Sequence, residues 1–358
     1  MSGEPFPVSV TEVLLPFRCV DAGPRPGPEI AEQFEQAWPS YRRWFLHEGE
    51  LPRPSYAQSR AALRRWMPEL VGDYDALVDA VGGDDLKARF LSHWCPPALV
   101  SACSIAMLGG PEPILVRNYD YPAFLSDTLA LRTHWSGRTI LGMSDCGWGL
   151  MDGMNDAGLA VSIAFGGRRV AGEGFGIGIV VRYLLQRATT TTDAVRLLSR
   201  IPVHMSYNVA IVDAAGDRRI VYVAPDRAAQ ESWEWAACNR QGHTEWPAHA
   251  DYCRTVEREE ALAVLSQDDA LSGDDLVSAF LRPPLHRSLS ESTWGTIYTA
   301  AYRVHSGVLT LLWPGDEWSL PVSGHTVGEH PRRELALVPD PVTVRVEVPR
   351  PEGIAVVR

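Results

Sequence analysis

From Glu29 to about His93, apolar residues recur every three to four positions: Phe34, Trp38, Tyr41 and Phe45, then Leu63, Trp66 and Leu70. That period predicts amphipathic helices, each with one buried face. A short apolar-polar run, Val8 to Val13, reads as a strand before them, and a Pro/Gly-rich loop carries the chain to residue 28. Pro96-Pro97 closes the helical stretch, because proline lacks the backbone donor and biases the preceding residue away from helix. Past Pro97 the texture changes to short apolar runs separated by turn residues, predicting strands at 99–108, 113–119, 128–135, 138–144, 148–153 and 158–165. Ser136-Gly137 is the predicted hairpin turn among them. Phe175 to Arg187 predicts a helix, and Thr192 caps a second from Asp193 to Ser199. A hairpin follows at 206–213 and 218–224, turning at Ala215-Gly216-Asp217, and Trp233 to Cys238 reads as a strand with both tryptophans on one face. Helices are expected at 251–266 and 273–281, and strands at 295–304, 307–313 and 341–349.

Strands, then helices, then strands again argue for stacked layers instead of strict βαβ alternation. The glycine-rich stretch Gly172 to Gly178 lacks the spacing of a dinucleotide-binding loop, and a loop or backbone-packing role accounts for it. Hydrophobic residues make up 46% of the 358, enough for a substantial core. The net charge of −11, with no long basic run, argues against nucleic acid and anionic membranes as partners. No 18-residue apolar run or basic, apolar start appears, so the expectation is a cytoplasmic protein without signal peptide or membrane span. Lys87 is the only lysine among 33 basic residues, and it lies in an acidic helical stretch. Schiff-base chemistry, a P-loop and a Ser-Lys dyad each require a lysine in a defined context that this chain does not offer.

Six cysteines, at 19, 95, 103, 146, 238 and 253, form no Cys-x-x-Cys pair and no zinc-finger spacing, so no metal or cofactor is expected. Cys103 differs from the others in position. It opens the first strand after the helical region, in Ser101-Ala102-Cys103-Ser104-Ile105-Ala106-Met107-Leu108. By composition alone, a cysteine between Ala102 and Ile105 is a small buried apolar residue. If the chain is cut before it, the thiol belongs to a new N-terminal residue. The freed α-amine, which titrates near pH 8, then takes the proton of a thiol that ordinarily titrates near 8.5.

The order of residues around Cys103 resembles the N-terminal-nucleophile (Ntn) hydrolases, in the branch of penicillin acyltransferases, conjugated-bile-acid amidases and penicillin V amidases. Cys103-Ser104 carries the resemblance with Arg117-Asn118-Tyr119-Asp120, Gly153-Met154-Asn155-Asp156-Ala157-Gly158-Leu159, Asn208, Asn239 after Cys238, and Arg254 opening a helix. It implies an α+β fold, a four-layer αββα sandwich of two antiparallel sheets with the nucleophile on a central strand. Residues 1–102 would be a mainly helical leader, cut off autocatalytically and retained as a small subunit, and 103–358 the catalytic core. It further implies that Cys103 is the nucleophile and forms an acyl-enzyme. Asp120 would orient the thiol or amine and Arg117 favour the thiolate. Asn239 and a backbone N–H near Phe165 would stabilise the oxyanion, and Arg254 would support the network. Asn155 matches a recurrent position and is a candidate substrate contact, although a turn role also accounts for it. The expected partners are a small acyl amide or acyl thioester and the chain's own cleaved segment, with homo-oligomerisation left open.

The sequence departs from that pattern in two places. Relatives that cut themselves often carry glycine before the cysteine, where this chain has Ala102, and Cys238-Asn239-Arg240 replaces a common Thr-Asn-His. Two other readings therefore stand beside the first: an uncleaved, inactive binding or scaffold protein, and a Cys–His thiol hydrolase using a histidine such as His134 or His204.

Overall fold

The computed structural model describes residues 8–290, 294–324, 326–339 and 355–357. The N-terminal region holds β1 (Val8–Asp21), α1 (Pro28–Phe45), α2 (Tyr56–Trp66), α3 (Val71–Ala80) and α4 (Asp85–Leu91). Strands follow at β2 (Ala102–Leu108), β3 (Ile114–Tyr121), β4 (Leu129–Thr133), β5 (Ile140–Asp145), β6 (Gly149–Asn155), β7 (Leu159–Phe165) and β8 (Val170–Gly172). Next come α5 (Ile177–Arg187), α6 (Thr191–Leu198), β9 (Tyr207–Asp213), β10 (Arg218–Ala224), β11 (Arg227–Ser232) and β12 (Ala236–Ala237). The C-terminal part contains α7 (Pro247–Tyr252), α8 (Thr255–Leu265), α9 (Gly273–Phe280), β13 (Gly295–Arg303), β14 (Val308–Trp313), β15 (Asp316–Pro321) and β16 (Gly328–Pro339). The strand expected at 341–349 lies outside the described residues.

Two sheets stack face to face. The larger has the order β11-β10-β9-β7-β6-β5-β4-β1-β16, the smaller β12-β2-β3-β13-β14-β15. Pairing is antiparallel throughout both, except between β1 and β4. Helices α5 and α6 cover the outer face of the large sheet, and α8 and α9 that of the small one. This is the expected αββα sandwich. Alternation along β2 and β3 sorts their side chains between the layers. Cys103, Ile105, Met107, Leu115 and Tyr119 point into the core between the sheets. Ala106, Ile114 and Val116 point the other way, against Leu262, Leu276 and Phe280 of α8 and α9.

The N-terminal region is bound more closely than a helical cap. β1 is hydrogen-bonded between β4 and β16 in the large sheet. The aromatic face expected of the first helix closes largely on Phe90 of α4, whose ring meets those of Phe34, Trp38, Tyr41 and Phe45. The same region also touches α5, where Gln186 donates to Asp73 at 2.6 Å.

Several expected elements change at the edges. The hairpin turn at Ser136-Gly137 is present, with both residues at positive φ (51° and 74°), which suits the twist of the flanking strands. The helix expected at 251–266 breaks at Cys253-Arg254, because Arg254 takes a left-handed conformation at φ 54°. The strand expected from Trp233 to Cys238 shrinks to Ala236–Ala237, and Trp233 is exposed, so the two tryptophans do not form one packed face. Among the described residues no helix is long and apolar enough to cross a membrane.

Candidate active site

Cys103 lies at the start of β2 with both its side chain and its main chain held by polar groups. In the β2–β3 register it pairs with Tyr119, so its sulfur shares the inter-sheet face with Tyr119 and Arg117. Arg117 Nη2 donates to Cys103 Sγ at 3.3 Å, and Ser101 Oγ lies 3.6 Å from the same sulfur. The Arg117 guanidinium also stacks over the Tyr119 ring, 4.6 Å from its centroid.

Arg117 carries its charge into a fully buried position, which requires a counter-ion. Asp152 of β6, in the opposite sheet, supplies it by a short ion pair. Tyr298 donates to the same Asp152 oxygen at 2.9 Å, and Tyr302 donates to the other. This bridge between the sheets fixes the guanidinium beside the sulfur. No sequence pattern pointed to Asp152. Its available signal was a lone charge inside an apolar strand, Leu150-Met151-Asp152-Gly153-Met154.

The main chain of Cys103 is held from another side. β12 runs antiparallel to β2, pairing Ala236 with Ala106 and Ala237 with Ile105. Two residues further along that register, Asn239 reaches Cys103, whose N–H donates to Asn239 Oδ1 at 3.0 Å. Arg258 Nη2 donates to the same oxygen at 2.7 Å, while Asn239 Nδ2 donates to the Phe165 carbonyl at 3.0 Å. Two donors on one atom and an acceptor on the other fix the amide's orientation. One hydrogen of Nδ2 remains beyond the bond to Phe165. Asn208 holds the same segment by donating to the carbonyls of Cys238 and Arg240.

Arg258 is the arginine of this site, and Arg254 is not. Its Nη1 donates to the Cys103 carbonyl at 2.7 Å and to Ser104 Oγ at 2.8 Å. Arg258 shares the buried face of α8 with Thr255 and Leu262. Arg254 precedes the helix, and its left-handed backbone turns the side chain to solvent, where it pairs with Glu257. Four residues apart would be one face only if both lay inside the helix.

Asp120 and Arg117 fall on opposite faces of β3, as a three-residue spacing requires. Asp120 therefore faces the helical layer, with Thr296 donating to Oδ1 at 2.7 Å and Arg258 lying 3.7 Å from Oδ2. A bulge in β13 between Thr296 and Tyr298 sends two residues that would share a face to Asp120 and Asp152 respectively. Burial raises the Asp120 pKa, with Arg258 opposing it. Asp120 Oδ2 has no hydrogen-bond partner among the described residues. Of the expectation that Asp120 orients the thiol or the amine, the thiol part is not met, since the sulfur occupies the other face.

Asn155 is also corrected as a substrate contact. Its Oδ1 accepts from the N–H groups of Ala157 and Leu159, and its Nδ2 donates to the carbonyls of Leu185 and Ala188. Those four bonds use its full capacity in holding the β6–β7 turn to the end of α5.

Among the described residues a Cys–His contact exists, but not at Cys103. Cys253 Sγ lies 3.3 Å from His249 Nε2. Burial pushes the Cys253 thiol up to about 12 and His249 down to about 4, which favours two neutral groups over a thiolate–imidazolium pair. His134 contacts Thr139 and Asp21, and His204 the Gly172 carbonyl.

Gly167 sits against the Asn239 backbone at φ 68°, and a Cβ there would come within 2.0 Å of the Asn239 carbonyl oxygen. Gly167→Ala is expected to destabilise the protein by about 1–3 kcal/mol through left-handed strain and this clash. Any activity should fall with it. Thermal unfolding alongside turnover checks the pair of effects.

Residues 107–252 match the profile of the family described as acyl-coenzyme A:6-aminopenicillanic acid acyl-transferase. No curated protein matches the chain as a sequence relative. Three solved structures are similar at low identity. A mutant conjugated bile acid hydrolase from Clostridium perfringens has 10% identity and a TM-score of 0.40, covering 64% of this chain and 96% of that one. Penicillin V acylase from Agrobacterium tumefaciens has 14% identity and a TM-score of 0.40, covering 64% and 90%. The Caenorhabditis elegans N-acylethanolamine-hydrolyzing acid amidase ortholog has 13% identity and a TM-score of 0.40, covering 62% and 100%.

Proposed function

We propose, from a chain that carries an acyl-transferase-family domain over residues 107–252, that Cys103 is the nucleophile of an amidohydrolase or N-acyltransferase and becomes N-terminal by self-cleavage before it. The observation that carries this reading is the double hold on one residue: Arg117 on the sulfur at 3.3 Å, and Asn239 on the main-chain nitrogen at 3.0 Å. A merely packed cysteine needs no cation on its sulfur, and a strand N–H is ordinarily paired with a backbone carbonyl, not a side-chain amide.

Cleavage begins with attack of the Cys103 thiol on the Ala102 carbonyl carbon, which moves the acyl group from nitrogen to sulfur. Water then hydrolyses the thioester and leaves the amine free. The amine loses its acyl carbon but stays within reach of Asn239, and the unpartnered Asp120 oxygen gives a charged amine an acceptor on the helical side. In turnover the sulfur attacks a substrate carbonyl, Arg117 stabilises negative charge on sulfur, and the spare hydrogen of Asn239 Nδ2 serves the oxyanion. The free α-amine takes the thiol's proton and passes it to the substrate's amine or thiol, which leaves as its bond to the acyl carbon breaks. The thioester left on Cys103 is resolved by water or an amine, which restores the thiol.

The substrate class we favour is a small linear amide or thioester with an apolar acyl group. A cleft between the N-terminal helices and the core offers apolar walls in Trp44, Phe90, Leu99, Met151 and Tyr207, and Cys103, Arg117 and Asn239 are not among its lining residues. Pro96-Pro97 and Leu99 in that lining belong to the segment leading to Cys103.

Intact-mass analysis tests the reading. The expected result is two chains, the second beginning at Cys103, that gain one acyl mass on the second chain during turnover of acyl amides or thioesters. A single uncut chain that turns over substrate overturns the shared sulfur-and-amine mechanism.

A further inference from the structure

We propose that Tyr41, from the N-terminal helical region, is a positioning residue for Cys103, acting through a carboxyl pair, half-buried Asp127 and buried Asp145, that holds an extra proton. The inference rests on the nucleophile reading above.

The geometry requires the proton. Tyr41 Oη contacts three groups: the Cys146 N–H at 2.7 Å, Asp145 Oδ1 at 3.0 Å, and Asp127 Oδ2 at short range. The Cys146 N–H donates. One phenolic hydrogen serves one carboxylate oxygen, so the contact with the other needs a hydrogen that the carboxyl itself brings. Asp145 already accepts from Tyr119 Oη on Oδ2 at 3.0 Å, and its Oδ1 shares the Cys146 N–H, at 3.1 Å, with Tyr41 Oη. Asp145 is therefore the acceptor of the Tyr41 hydrogen, and Asp127 is the acid that donates to Tyr41.

Charge around the pair agrees. Facing it are Tyr41 of α1, Arg18 of β1, Arg117, Tyr119 and Tyr121 of β3, and the thiol of Cys146. Among the described residues Arg18 is a cation acting on Asp127, and Arg117 acts on Asp145. Burial, then Asp145, holds Asp127 well above the carboxylate range, and burial pushes Asp145 up to about 6.

The cluster connects to the nucleophile through three contacts. Asp145 fixes the Tyr119 hydroxyl, and the Tyr119 ring lies under the Arg117 guanidinium that meets Cys103 Sγ. Tyr119 is also the β3 partner of Cys103. Tyr41 thus makes the N-terminal region part of the working site and not only its precursor.

The test is pH-resolved alkylation of Cys103 by iodoacetamide in the full chain, read by peptide mass spectrometry. It needs no substrate, so it can fail independently of the functional reading. Tyr41→Phe is expected to slow alkylation at neutral pH about tenfold, the size of one lost hydrogen bond to a charged group. Asp127→Asn supplies a permanent donor to Tyr41 and should react within about twofold of wild type there.

The two proteins should part as pH rises. A folded-state pKa raised above the unfolded value makes the proton's contribution complete in acid, and it is lost as pH climbs through the folded value. The melting temperature of wild type should therefore fall relative to Asp127→Asn above about pH 4. A folded Tyr41→Phe protein alkylated at the wild-type rate overturns the proposal. So do parallel melting curves for wild type and Asp127→Asn, a comparison that stands even if Tyr41→Phe fails to fold. Alkylation behaving as expected without turnover of any acyl compound would instead count against the functional reading alone.

Discussion

Arg258→Met is expected to cost about 3–5 kcal/mol of stability, the usual penalty for stranding one member of a buried charge pair. Turnover should fall about 100-fold or more, as when one donor is removed from a preorganised charge site. Four groups each lose one partner together: the Cys103 carbonyl, Ser104 Oγ, Asn239 Oδ1 and Asp120. Asn239 suffers twice, because its orientation depends on receiving donors at Oδ1. Arg258→Lys keeps the charge but not the planar fork that reaches Cys103 and Asn239 at once, so it should recover stability better than rate. Arg254→Ala is the control and should stay within about 0.5 kcal/mol of wild type, as exposed substitutions do. Urea unfolding midpoints and kcat/KM for the three variants check this. Equal effects at 254 and 258 would sink the assignment.

That contrast marks where the sequence stops being readable. The layers were legible because burial imposes periods on local sequence. In β2 and β3 the alternation that sends Cys103 inward and Ala106 outward follows from a two-residue period alone. The hairpin turn at Ser136-Gly137 and the cap of α6 are likewise local, although the capping residue is Thr190 and not Thr192. Arg258 was missed because helical phase depends on where the helix starts, and the left-handed Arg254 moves that start by a few residues. Asp152 was missed for a different reason. Its partner Arg117 lies 35 positions away on the other sheet, and no local period relates them. The Tyr41 cluster gathers residues from α1, β3, β5 and a loop, and tertiary packing alone brings them together. Asn239, which the sequence offers from a motif position, lies beside the Cys103 main chain, two residues past the short strand β12. Asn155 was found as a residue but not in role, since a saturated turn asparagine and a substrate-binding one look alike until their bonds are counted.

Asp152→Ala should destabilise by about 3–5 kcal/mol, because it leaves the Arg117 guanidinium buried without a counter-ion. Loss of activity in that variant would not separate chemistry from folding. The double variant Arg117→Met with Asp152→Leu does. Replacing a buried pair by apolar groups of similar volume is often neutral or stabilising. Stability should therefore return in part, held back because the Tyr298 and Tyr302 hydroxyls lose their acceptor at about 1–3 kcal/mol each. Activity should not return, because nothing then donates to the Cys103 sulfur from the position Arg117 held. Thermal melts measured with Cys103 alkylation and turnover give the decisive comparison. A double variant as unstable as Asp152→Ala would mean that the stranded Arg117 charge is not what destabilises the single variant. A double variant that is stable and fully active would reduce Arg117 to a structural strut and leave Cys103 without its charge partner.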